Sequence, residues 1–248
     1  MELNKRLIPL RKNIRQNHKS IINSLIDGST EKVCIFCGTK NNLTKEHVLP
    51  RWTFENCTKK SFVTNTNGIF QKYNQTVVRC CDNCNNYILA FLEDSIIEMF
   101  QKINLSKEHF NTEQLEIIIL WLETITYKLQ AMEMKRKLRK VKDSNFIPYL
   151  ANFPIAIMQN LDLSPSKVFS NLRNSLKKLT YKSKMNRLNS LLIYKTKNKK
   201  FSFMHSANNF IYIELPKYEI ALFYFIEEDF NDHKDAYEKS MKILEKEY

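Results

Sequence analysis

Three short stretches decide the fold: Cys34-Ile-Phe-Cys37-Gly38, Thr44-Lys-Glu46-His47-Val-Leu-Pro50-Arg51-Trp52, and Cys80-Cys81-Asp-Asn-Cys84-Asn85-Asn86. The first and last each hold a C-x2-C pair, with 43 residues between Cys37 and Cys81. Two such knuckles can wrap four thiolates round one ion in a tetrahedron, the closed geometry of a structural zinc site. Gly38 directly after Cys37 suits the tight bend, because glycine accepts a positive φ at little cost. A module of about 65–70 residues gains from a metal what a small core cannot supply. Cys80-x3-Cys84 is an alternative second pair, and the matching x2 spacing favours Cys81. Cys57 reads as a bystander. The competing account is a set of free thiols packing as small hydrophobes.

Working outward, residues 30–98 hold all six cysteines and read as the metal-held module. Residues 1–29 read as a basic helical arm, with Leu7, Leu10, Ile14, Ile21, Ile22 and Leu25 at helical spacing. Pro9 is expected to interrupt its start and Gly28 to end it. Residues 99–248 read as an α+β region. Asn111-Thr-Glu-Gln114 has the form of a capping box, and Leu115, Ile118, Ile119, Leu122, Ile125, Leu129 and Met132 carry a helix onward. Ser164-Pro165 opens a second helix. Segments 191–194, 201–205, 210–215 and 220–225 are rich in aromatic and branched residues and predict four strands. Residues 235–248 predict a closing helix. The expected class is α+β.

The chain has 248 residues and a formal charge of +13. The charge is uneven. Residues 217–248 hold 5 lysines against 9 acidic side chains, which leaves 34 basic and 17 acidic residues in 1–216. A positive field of that size draws polyanions. The longest apolar runs, such as 117–122, are too short to span a bilayer, and the basic N-terminus has no apolar signal core. The expectation is a cytoplasmic protein without a membrane partner, whose cysteines serve as metal ligands or free thiols rather than disulfides.

Between the knuckles lies His47, preceded by the carboxylate of Glu46 and followed three residues later by Pro50, while Asn85 directly follows the last knuckle. The combined pattern C-x2-C-G, E-H-V-x-P and C-x2-C-N resembles the zinc-bearing branch of the HNH endonucleases over about a quarter of the chain. The resemblance implies a zinc-stapled ββα-metal module joined to a helical and antiparallel-strand C-terminal region. It implies structural Zn²⁺ on Cys34, Cys37, Cys81 and Cys84. It also implies a catalytic Mg²⁺ or Mn²⁺ held by Glu46 and Asn85, with His47 as general base. That division of labour suits phosphodiester hydrolysis, which needs an activated water and a cation near the scissile phosphate. A non-catalytic HNH-like zinc module is the alternative.

The sequence departs from the family in two places. No Asn stands in the usual register before the second knuckle, and Asn74 is the nearest substitute, with Asn65 and Asn67 further off. Arg51-Trp52 replace the usual Gly-Gly after the proline. Glu93 is a candidate partner for the site, although an exposed helical glutamate is the commoner outcome. Arg51, Lys135, Arg136, Arg139, Lys177 and Lys178 are candidate phosphate contacts, with Tyr181 as a stacking platform. His18, His109, His205 and His233 read as ordinary surface or core residues. In length and layout the chain also resembles HNH effectors of bacterial anti-phage systems of the Septu type. That resemblance implies an ATPase partner protein and a nucleic-acid target, either DNA or an RNA such as tRNA.

Overall fold

A computed structural model describes residues 5, 7–26, 32–54, 61–63, 70–72, 75–105, 107–137, 165–180, 185–206 and 209–247. Cys57, Asn65, Asn67, Asn74, Gly28, Arg139 and Tyr181 lie outside that set.

The first helix, α1 (Ile8–Ile26), places Leu10, Ile14 and Ile21 inward, with Leu7 buried just before it. Pro9 does not interrupt it: proline sits in the first turn, where its missing N–H is not needed. Next come β1 (Leu43–His47), a single helical turn α2 (Arg51–Phe54), the short strands β2 (Ser61–Val63) and β3 (Phe70–Lys72), and β4 (Val77–Cys81). β1 and β4 form one antiparallel hairpin and β2 and β3 another. A π-helical segment, Asn83–Leu89, runs directly into α3 (Ala90–Lys102).

The longest helix, α4 (Thr112–Lys137), starts on the expected capping box: Asn111 N–H donates to Gln114 Oε1 at 2.8 Å, and Gln114 N–H to Asn111 Oδ1 at 2.9 Å. The periodic apolar stripe predicted a helix with one wet face. Instead residues 117–134 are buried all round, and α4 is the axle of the molecule. Helix α5 (Pro165–Thr180) begins on proline as expected and packs on both α4 and α1. A one-turn α6 (Met185–Leu188) leads into the sheet.

Strands β5 (Leu191–Lys195), β6 (Ser202–Ser206), β7 (Phe210–Leu215) and β8 (Ile220–Phe225) form an antiparallel sheet in the order β5-β8-β7-β6. Every residue of β7 and β8 is buried. One sheet face, with Ile211, Ile213, Leu222 and Tyr224, joins the main core. The other, with Phe210, Tyr212, Phe223 and Phe225, packs with Ala236, Ile243 and Leu244 of the last helix, α7 (His233–Glu247). The main core is continuous from Leu7 to Ile226, so arm, cysteine-rich segment and C-terminal region share one interior. The class is α+β, mixed helix and antiparallel strand, with a four-cysteine cluster.

Candidate metal centre and adjoining carboxylate site

The knuckle loops are built by backbone hydrogen bonds. Gly38 N–H donates to Cys34 O at 2.9 Å and Cys34 N–H to Thr39 O at 2.8 Å, and Gly38 takes φ 77°. Ile35 N–H reaches Arg79 O at 3.1 Å, which fastens the first knuckle to β4. Amides also point at sulfur: Phe36 N–H donates to Cys34 Sγ and Cys84 N–H to Cys81 Sγ, both at 3.4 Å. The sulfurs of Cys34, Cys37, Cys81 and Cys84 all lie within 4.8 Å of one another, with Cys37 and Cys81 3.6 Å apart. Cys81, the partner favoured by the x2 spacing, is the one that joins this cluster. Cys80 is fully buried on the neighbouring strand position, its thiol still close enough to hydrogen-bond Cys34 and Cys84.

The thiols cannot all ionise unaided. Hydrogen bonds from Cys80 and Cys84 hold the Cys34 thiol far below its ordinary value. Cys37 is pushed up to about 12, mainly by burial. Cys84 is raised, first by its hydrogen bond to Cys34. A divalent ion bound among the four sulfurs would take them as thiolates and displace their protons. Four sulfurs at this spacing fit a structural metal ion.

In the β1–β4 hairpin, Thr44 faces Cys80, Lys45 faces Arg79, Glu46 faces Val78 and His47 faces Val77. Strand alternation sends Thr44 and Glu46 inward and Lys45 and His47 outward. Burial agrees, with Glu46 buried and His47 half-exposed. The His47 ring lies 6.4 Å from that of Phe54. Asn85, in the π-wound segment, donates through Nδ2 to Thr44 Oγ1 at 3.0 Å, and Thr44 donates to Cys80 O at 3.0 Å. Segments of i→i+5 winding often mark functional positions. Here one starts inside the second knuckle, at Asn83, and carries both Cys84 and Asn85.

The residue missed by sequence reasoning is Lys128 of α4. Its side chain is 2% exposed, and its ammonium donates to Glu46 Oε1 and, at 3.1 Å, to the carbonyl oxygen of His47. Glu93 Oε1 lies 3.8 Å away. Burial pulls the Lys128 ammonium down, yet Glu46 and Glu93 outweigh it and the net shift is upward. Burial, opposed by Lys128 and reinforced by Glu46, pushes the Glu93 carboxyl up to about 7. Glu93 is therefore not the exposed helical glutamate expected; it turns in toward the lysine. Trp52 stacks on Trp121 at 5.5 Å and meets Tyr218 edge-on at 6.0 Å, so it anchors α2 to α4.

The candidate phosphate contacts divide. Arg51 and Lys177 are exposed. Lys178 is half-buried and donates to Ile226 O, and burial lowers its ammonium to about 8. Lys135 and Arg136 fall in the last turn of α4, where side chains are not described. His18, His109 and His233 are exposed. His205 is buried with neither ring nitrogen hydrogen-bonded, and burial lowers it to about 4. No helix of the described residues is long and apolar enough to cross a membrane. Comparison with family models, with curated proteins and with solved structures returned no match.

Proposed function

We propose that the chain is an endonuclease that hydrolyses phosphodiester bonds of nucleic acid, with His47 as general base. The observation behind this is the arrangement at the four cysteines. An antiparallel hairpin and the helix that follows it are clamped together, and a half-exposed histidine sits on the last residue of β1. That is the ββα layout implied by the resemblance to HNH enzymes. The metal on the four cysteines is then zinc, and its role is to fix the hairpin against the helix.

The imidazole of His47 accepts the proton of an attacking water. Glu46, Glu93 and Lys128 together carry one uncompensated negative charge when both carboxyls are ionised. That excess fits a Mg²⁺ or Mn²⁺ ion, which Glu46 and Asn85 would hold. When bound, such an ion stabilises charge on the scissile phosphate and leaving oxygen. Lys128 keeps the Glu46 carboxylate and the His47 carbonyl in register, so the strand end that presents the imidazole does not wander. The resemblance extends the proposal to a cytoplasmic role in anti-phage defence, with an ATPase partner.

A second reading, a non-catalytic zinc module, draws on one observation: the Glu46 carboxylate is already held by an ammonium. The two separate on His47→Ala. DNA, RNA and tRNA are incubated with the zinc-loaded protein in Mg²⁺ or Mn²⁺. The variant is expected to lose about 10²–10⁴ in cleavage rate while keeping its circular dichroism spectrum and nucleic-acid affinity. Cleavage by the variant at the wild-type rate, or none by wild type even with its partner supplied, overturns the enzyme.

A further inference from the structure

The outward face of the β1–β4 hairpin carries an arrangement that packing does not explain. Lys45 and Arg79 are directly opposite each other in the register. Both belong to the face that also carries His47, since positions 43, 45 and 47 alternate with 44 and 46. Lys45 is exposed and Arg79 half-exposed. Among the described residues neither side chain has an ion pair or hydrogen bond. Like charges set directly opposite across a pair of strands repel and are destabilising. A hairpin selected for stability alone would place a carboxylate or a threonine at one of the two positions.

We propose that Lys45 and Arg79 form a phosphate clamp that seats the nucleic-acid backbone on the face of the hairpin that carries His47. This rests on the nuclease reading for the identity of the anion. A guanidinium offers a planar fork to two phosphate oxygens, and an ammonium adds a point charge beside it. Together they take an anion whose charge cancels their mutual repulsion. His47 lies two residues beyond Lys45 along β1, about 6.6 Å at strand rise. That is the order of the spacing between successive phosphates on one strand. A phosphate in the clamp therefore leaves its neighbour near the imidazole. An acidic polypeptide is the competing anion; it has no use for a histidine at that spacing.

The experiment measures binding in the His47→Ala background, where substrate stays intact. Fluorescent duplex DNA and RNA of equal length are titrated from 50 to 200 mM salt. Lys45→Ala with Arg79→Thr should weaken binding at 50 mM at least tenfold. The slope of log K against log salt should flatten by about 1 for each charge removed. The melting temperature should stay level or rise, because cross-strand repulsion is gone; a merely structural pair would lower it. Lys242→Ala with Lys246→Ala, which removes equal charge from α7, should leave affinity near the parent value. Three results overturn the clamp: unchanged affinity in the hairpin variant, equal weakening in the α7 control, or displacement of nucleic acid by polyglutamate at matched charge. A lowered melting temperature that accounts for the lost binding overturns it too. If wild type cuts nothing yet the hairpin variant alone loses binding, the clamp stands and only the nuclease reading fails. If His47→Ala abolishes cleavage and the hairpin variant binds normally, the reverse holds.

Discussion

An ammonium buried without a partner costs several kcal/mol, so the position of Lys128 has to be explained by what surrounds it. It has two carboxylates and a main-chain carbonyl within reach. Removing one member of such a set is worse than removing both, because the survivor is left charged in a dry place. Lys128→Met is therefore expected to lower the unfolding free energy by about 3–5 kcal/mol. Adding Glu46→Gln should recover part of the loss. Urea denaturation of both variants and of Glu46→Gln alone closes the cycle; a Lys128→Met protein within about 1 kcal/mol of wild type would show that the pair contributes nothing. The sequence did hold a signal for this residue. Lys128 falls three positions after Ile125 and four before Met132, on the apolar stripe of its helix, and a cation there needs a buried anion. His47 and Glu46 were legible as neighbours in a motif. That they face opposite sides of β1 follows from strand period, but which side is the interior depends on α4, far away in sequence.

The capping box of α4 was legible because its chemistry is local: two side chains satisfy two orphan amides within four residues. Asn111→Ala is expected to cost about 1 kcal/mol, within roughly 0.5–2. Thermal melts read this as a modest drop, with Asn111→Asp recovering most of it; no drop would mean that solvent caps the helix equally well. Strands β7 and β8 were legible to the residue for a similar reason, since aromatic and branched runs of six bounded by polar turns have little else to become. The burial of α4 on every side was not. Glu123 and Gln130 sit off the apolar stripe, where a 3.6-residue pattern predicts water, and both are buried. Glu123 shows how: Tyr224 donates to it at 2.6 Å, and Arg187 lies 3.5 Å away. Those partners come from β8 and α6, roughly sixty to a hundred residues later, and no local pattern announces them. The π winding around Cys84 is illegible likewise, because residue type does not signal which carbonyl an amide will choose.

At the scale of the whole molecule, the cysteine cluster and the sheet are parts of one core rather than of two modules joined by a linker. Tyr127 makes the link physical. Its hydroxyl donates to Ile35 O inside the first knuckle, and its ring meets Phe36 edge-on at 5.5 Å. Trp52 and Trp121 stack between α2 and α4 a short way along the same helix. Without a metal, Cys34, Cys37, Cys81 and Cys84 lose the ion that relieves their crowded protons, and the knuckle loops lose their clamp. Because α4 packs against those loops and the sheet alike, the loosening should spread. Chelation under reducing conditions is expected to lower the melting temperature by several degrees, with tryptophan fluorescence and the far-ultraviolet strand signal moving in one transition. Two separated transitions would mean that the sheet holds without the clamp. Cobalt(II) then tests the ligand set. Cys81→Ser should lose the thiolate-to-cobalt absorption and Cys80→Ser should keep it, since only the first belongs to the cluster in which all four sulfurs lie within 4.8 Å. The opposite outcome would move the ion onto the Cys80 side of β4, the side that Glu46 shares, and would separate the metal from the geometry that places His47 outward.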